Sequence, residues 1–218
     1  MSFFSDQEQQ AIEQRLSAMT GPVTLVLFSQ AFGCDTCPTT ERIVQSVAEA
    51  NPLITLELRN PVLDVDVATQ YGVTRVPAVA IVGDRDRGLR FYGAPEGYEL
   101  MSLLEGILLA SAGDSQLSDE SRALVADLST PRHLHIFSTP TCPHCGRAVR
   151  LGWQLAMESD LITVDAVSAV EYPDLVRQYR VTGVPKTVIN EATDILGAVP
   201  ESQFVETVVG SAAAPDAN

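Results

Sequence analysis

The chain has 218 residues, 45% of them hydrophobic and 19% charged, so it can fold as one large domain or two small ones. Its formal charge of −14 argues against nucleic acid and an anionic membrane as partners. The longest apolar candidate, Leu103 to Ala112, is interrupted by Glu105 and falls short of the roughly 18 residues that a membrane span needs. MSFFSDQEQQ at the start has neither the basic end nor the apolar stretch of a secretory signal, and a cytoplasmic location is the expectation.

In chain order, Ser5 with Glu8 three residues later makes a capping box for a helix over about 5–19. TLVLFS, 24–29, is β-branched and apolar and predicts a buried strand. A helix is expected from just after Cys34 to about Ala50, a strand over 53–58 and a short helix over 65–71. Pro77–Val82 and Leu89–Tyr92 predict a hairpin, and Glu96–Ala110 a helix. SAGDSQ, 111–116, reads as a linker. Beyond it come a helix over 118–129, a strand through His133 and His135, a helix over about 143–158 and a strand over 161–166. A short helix over 171–179, a hairpin over 185–197 and a helix from about 201 follow. The expected division is 1–112, 117–211 and a flexible tail, 212–218.

The second half repeats the first at an offset of 108. GVTRVPAVAIV at 72–82 matches RVTGVPKTVIN at 180–190, and 34–81 aligned with 142–189 without a gap gives 16 identities in 48 positions. That period is too long for a solenoid unit and marks a duplicated domain. Each copy reads strand–helix–strand, then helix–hairpin–helix. This predicts an α/β fold: two tandem thioredoxin folds, each a central mixed sheet flanked by helices.

The four cysteines form two C-x-x-C pairs, Cys34/Cys37 and Cys142/Cys145, each where a strand gives way to a helix. Free amides and the helix dipole at such a point stabilise a thiolate, the attacking species in disulfide exchange. Cys34 and Cys142 are therefore the expected nucleophiles, and Cys37 and Cys145, one turn on, the resolving thiols. Pro143 suits a first helical position, and His144 can lend a hydrogen bond or positive charge to the Cys142 thiolate. Asp35 puts a negative charge beside Cys34. The Cys142 pair should thus be the more oxidising, because a stabilised reduced form makes a stronger oxidant.

Pro77 and Pro185 each follow a valine and lie 43 residues beyond the first cysteine of their copy. A proline tolerated at a strand start is one reading. The equal spacing favours another: cis bonds facing the cysteines, with the Val76 and Val184 backbones left to pair with an extended substrate. No metal and no cofactor are expected. A four-cysteine zinc site would space its pairs more closely, and a C-x-x-C ring closes too little chain to act as a strong staple. His133 and His135 read as the polar side of a strand rather than a metal site, and Trp153 as core. Lys186 either adds positive potential near Cys142 or is simply solvated.

FYGAPEGYEL (91–100), FSTPTCPHCGRAVR (137–150) and VEYPDLVRQYRVTGVPK (170–186) resemble the protein disulfide oxidoreductases, over about residues 5–210. The resemblance implies formation, reduction or isomerisation of disulfides in protein substrates. It implies redox activity at both pairs and a cis-proline beside each. The implied partners are protein thiols and disulfides, with a thioredoxin-reductase-like flavoprotein or a peroxiredoxin for electron transfer. The chain departs from the family where His144 replaces the usual tyrosine and in its CDTC motif. The buried acid of thioredoxin is missing, Phe28 and Ile136 standing six residues before the first cysteines, and the glutathione-binding lysine of glutaredoxins is absent from Ser138–Thr141. Two alternatives stand beside this reading. One is an electron-transfer module for a peroxiredoxin, similar to the tandem module of alkyl hydroperoxide reductase flavoproteins, which carries one C-x-x-C. The other is a non-catalytic thioredoxin-fold binding or chaperone protein.

Overall fold

Eight strands form one sheet in the computed structural model, which describes residues 3–212. The first copy comprises α1 (Asp6–Leu16), β1 (Val23–Phe28), α2 (Cys37–Glu49), β2 (Ile54–Arg59), α3 (Val65–Gln70), β3 (Ala78–Val82), β4 (Leu89–Tyr92) and α4 (Tyr98–Ala112). The second comprises α5 (Asp119–Ala126), β5 (Arg132–Ser138), α6 (Cys145–Glu158), β6 (Ile162–Ser168), α7 (Pro173–Gln178), β7 (Lys186–Ile189), β8 (Thr193–Leu196) and α8 (Glu201–Gly210). Every expected element is present. Ser5 and Glu8 cap α1 reciprocally, though this helix ends at Leu16, three residues early. The tail 213–218 lies outside the described residues.

The strand order is β2-β1-β3-β4-β6-β5-β7-β8, so both copies use the same internal order. Each has one parallel pair and an antiparallel hairpin. They join where β4 pairs in parallel with β6, Leu89 opposite Val164 and Tyr92 opposite Val167. That pairing covers two edges which separate domains would leave open to other chains.

Side chains alternate across the sheet, as strand geometry requires. Leu25, Leu27, Ile81, Leu89, Phe91, Leu134, Ile136 and Val164 face one core, shared with α1, α2, α4, α5, α6 and α8. Val26, Phe28, Ala80, Tyr92, Phe137, Val167 and Val188 face a second, smaller core, roofed by the short helices α3 and α7 through Ala68 and Leu175. Helices flank both faces, as expected, but unequally.

Helices α4 and α6 pack across the seam. Trp153 is fully buried, as the sequence suggests, and a Cβ on Gly106 would sit 2.6 Å from its ring and 2.7 Å from Ile81. Glu105 of α4 pairs with both Arg15 of α1 and Arg150 of α6. The expected linker is not a loose tether. Ser111 and Ala112 belong to α4, Ser111 Oγ accepts hydrogen bonds from the amides of Thr20 and Gly21, and Ser115 donates one to Glu158.

Gly106→Ala should therefore destabilise the protein by about 1–3 kcal/mol through overpacking. Urea unfolding followed by Trp153 fluorescence and by far-ultraviolet circular dichroism should shift as one transition. An unchanged midpoint would show that the α4–α6 contact yields freely.

Candidate active site

Both C-x-x-C pairs sit between the C-terminal end of a strand and the first turn of a helix, after β1 and after β5. Both are disulfides: Cys34–Cys37 with Cα atoms 5.4 Å apart, Cys142–Cys145 with 5.5 Å. Each helix begins at the second cysteine, with Thr36 and His144 at the N-cap positions. Pro143 therefore precedes the cap and does not occupy the first helical turn, contrary to the sequence expectation. In the first copy it is Pro38, one residue after Cys37, that stands in the first turn, where a missing N–H costs nothing.

The second cysteines of the two pairs are buried, Cys37 fully and Cys145 at 2% exposure. The two leading cysteines differ. Cys34 is half-buried, whereas Cys142 is 8% exposed. Asp35, Pro143 and His144 are exposed beside them.

The Val76–Pro77 and Val184–Pro185 bonds are both cis. Both valines are half-buried and lie just outside the ladders of β3 and β7, which start at Ala78 and Lys186. Cys34, Asp35, Val76 and Pro77 line one open groove of about 310 Å³. Its opposite wall comes from the second copy, from Val170, Glu171 and Tyr172. The hydroxyl of the buried Tyr172 donates to the Pro77 carbonyl at 3.0 Å, and Glu171 Oε1 accepts from the amide of Ala94 at 2.5 Å. Glu171 Oε2 is buried with no hydrogen-bond partner among the described residues.

The second site borrows from the first copy. The Pro140 carbonyl, two residues before Cys142, accepts the amide of Tyr98 at 2.8 Å. Gly97, at φ +53°, is needed there, since a Cβ would meet that carbonyl oxygen at 2.4 Å. Two residues on, Glu99 is 1% exposed. It accepts from Ser138 Oγ at 2.6 Å and Ser168 Oγ at 3.1 Å, at the ends of β5 and β6. Burial pushes its carboxyl up to about 7, against the lowering effect of those two hydroxyls.

Phe28 and Ile136 are indeed buried apolar residues, so no acid stands at those positions of the two strands. An acid reaches the second strand's end from another element instead. Glu99, Glu171 and Tyr172 carry no local sequence signal that would single them out as site residues. Lys186 is neither solvated nor free: it is 4% exposed, donates to the Tyr179 carbonyl at 2.7 Å and pairs with Asp194 at 2.7 Å.

A family profile described as the thioredoxin domain matches residues 26–105 and again 132–210. The crystal structure of a protein disulfide oxidoreductase from Aeropyrum pernix is similar at 30% identity. The match covers 94% of this chain and 92% of that one, with a TM-score of 0.89. A thioredoxin from Methanocaldococcus jannaschii is 32% identical over 76 residues, 34% of this chain and 89% of that protein. The alkylhydroperoxide reductase AhpF of Enterococcus faecalis has the same fold, with a TM-score of 0.87 at 21% identity over 95% of this chain and all of that one.

Glu99 carries a pH signature. Its ordinary value is 4.5 and its folded value about 7, so the folded protein holds a proton that the unfolded chain releases between them. The stability this contributes is fully present below about 4.5 and is lost as the pH rises to about 7. Glu99→Gln should remove that loss, stabilising the protein at pH 8 by up to a few kcal/mol more than at pH 4, at about 1.4 kcal/mol for each pH unit between the two values. Equal effects at the two pH values in urea unfolding would contradict the assignment.

Proposed function

The chain belongs to the thioredoxin domain family and keeps both C-x-x-C pairs, and from that premise we propose that it exchanges disulfides with extended segments of protein substrates, Cys34 and Cys142 acting as nucleophiles. It is a thiol–disulfide oxidoreductase built from tandem thioredoxin folds, in the arrangement of the protein disulfide oxidoreductases. No helix among the described residues is long and apolar enough to cross a membrane.

One observation carries the substrate reading. The half-buried Cys34 opens onto a groove whose edge is the cis Val76–Pro77 segment; the Pro77 carbonyl is taken by the Gly93 amide and the Tyr172 hydroxyl, which leaves the Val76 backbone to pair with an extended chain. Two exposed apolar side chains flank it: Phe32, beside Gly33, is 89% exposed, and Val170 62%. Such a border suits an unfolded or flexible polypeptide better than a small polar disulfide.

In reduction, the Cys34 thiolate attacks one sulfur of a substrate disulfide. A bond forms between Cys34 Sγ and that sulfur, the substrate S–S bond breaks, and the other substrate sulfur leaves as a thiolate that takes a proton. Cys37 then attacks Cys34 Sγ, forming the Cys34–Cys37 disulfide and releasing the second substrate thiol. The substrate gains two electrons and two protons, and the protein loses them. Substrate oxidation is the same sequence reversed. Cys142 and Cys145 repeat the chemistry, Val184 and Pro185 standing where Val76 and Pro77 stand. A thioredoxin-reductase-like flavoprotein is the proposed electron source, and a peroxiredoxin is an acceptor of the same chemistry.

In the reduced protein Cys34 should be alkylated at least several-fold faster than Cys37 or Cys142, because it is the most exposed of the four cysteines. Mass spectrometry of quenched samples would read this, and equal rates would refute the access argument. The acid beside Cys34, Asp35, and the imidazole beside Cys142, His144, which can lend a hydrogen bond or positive charge, predict a second result. With the other pair replaced by serine, Cys142–Cys145 should titrate at a higher potential than Cys34–Cys37 in glutathione buffers. Equal potentials, or the reverse order, would remove tuning by Asp35, Pro143 and His144. If serine replacement of all four cysteines leaves disulfide exchange intact, the proposed chemistry is wrong.

A further inference from the structure

The smaller core leaves a polar gap between its two short helices, over the middle strands of the sheet. His133 and His135 stand there on β5, and Asp165 on β6 lies directly opposite His135 in the parallel register. His133 Nε2 and Asp165 Oδ2 are 2.8 Å apart, and His135 Nε2 is 3.7 Å from that same oxygen. One ligand atom from each residue falls within 4.8 Å of the other two. Bond lengths of 2.0–2.2 Å put the ligand atoms of a tetrahedral ion about 3.4 Å apart, so small side-chain rotations would close all three on one centre.

We propose that His133, His135 and Asp165 bind a divalent first-row transition ion, through two imidazole nitrogens and one carboxylate oxygen. Two histidines and a carboxylate suit zinc and its neighbours far better than magnesium or calcium, which prefer oxygen alone. The His133–Asp165 hydrogen bond accounts for one histidine only. His135 Nε2, at 3.7 Å, is beyond hydrogen-bonding range of the shared carboxylate, although its side chain is 14% exposed, like that of Asp165.

The surroundings fit an ion with an open position. The three residues line a cavity of about 280 Å³, with Tyr179 and Glu191 on its rim. The Tyr179 ring lies 5.0 Å from that of His135 and its hydroxyl donates to Glu191 Oε1 at 3.1 Å, which fixes His135 from one side and sets a further oxygen donor nearby. The neighbouring cations are already matched: Arg75 pairs with Asp174 at 2.7 Å and Arg90 with Asp86 at 2.6 Å. The net charge of −14 also favours a cation. The site is distinct from the redox pairs, since three residues of strand, about 10 Å, separate His135 from Ser138 at the end of β5.

The test uses untagged, chelator-treated protein with both disulfides formed, so that no thiol can take the metal. Calorimetric titration with Zn²⁺ should show one equivalent bound with a Kd in the micromolar range or tighter. Asp165→Asn and His135→Gln should each weaken it at least tenfold, and a variant with all four cysteines changed to serine should bind as the wild type does. Co²⁺ provides a check that needs no variant: its visible absorption should report nitrogen and oxygen ligands, without thiolate charge-transfer bands. No binding by the oxidised protein, affinities within twofold of wild type in both variants, or thiolate bands with Co²⁺ would each overturn the proposal.

Discussion

The pairing of β4 with β6 is the contact on which the rest of the molecule depends. Through four opposed residue pairs, from Leu89–Val164 to Tyr92–Val167, two small sheets become one. It brings α4 against α6, the loop after β6 against the first cysteine pair, and the α4 N-terminus against the second. Each redox loop is consequently walled in part by the other copy. Tyr172 reaches the Pro77 carbonyl, and Glu99 reaches Ser138 and Ser168. A domain cut at the linker would lose all of these partners.

Duplication with this joint gives two sites of one chemistry and unequal surroundings. Cys34 opens onto a groove with an apolar border, while Cys142 is nearly covered and has below its loop a buried acid that holds its proton up to about pH 7. A buried second cysteine is common to both. Burial keeps the second thiol away from external disulfides and leaves the mixed disulfide on the leading cysteine as its target, so the spacing that sets the chemistry is retained while access varies.

The parts that recur locally were legible in the sequence. The cysteine spacing, the equal distance from cysteine to proline, the capping box at Ser5 and the β-branched apolar strands each depend on a few adjacent residues. What escaped depends on contacts across the seam. Glu99 looks like any acid in the first turn of a helix until β5 and β6 arrive above it. Glu171 reads as the first residue of a short helix until it forms a wall of the Cys34 groove. The two histidines look like a polar strand face, and only the β5–β6 register brings Asp165 beside them. Lys186 is ambiguous beside Pro185, and its burial follows from the Tyr179 carbonyl and Asp194, which local sequence does not place. The departure at Pro143 is smaller: the turn through CPHC delays the helix by two residues, so the proline precedes the cap.

If each redox pair is tuned by the other copy, a charge far away in sequence must move its potential. The direct measurement is a redox titration of Cys34–Cys37 with Cys142 and Cys145 replaced by serine, with and without Glu171→Gln. Removing that carboxylate from the groove wall should stabilise the Cys34 thiolate and raise the potential of the pair. An unchanged potential would contradict the account, leaving two independent thioredoxin folds that merely share a sheet.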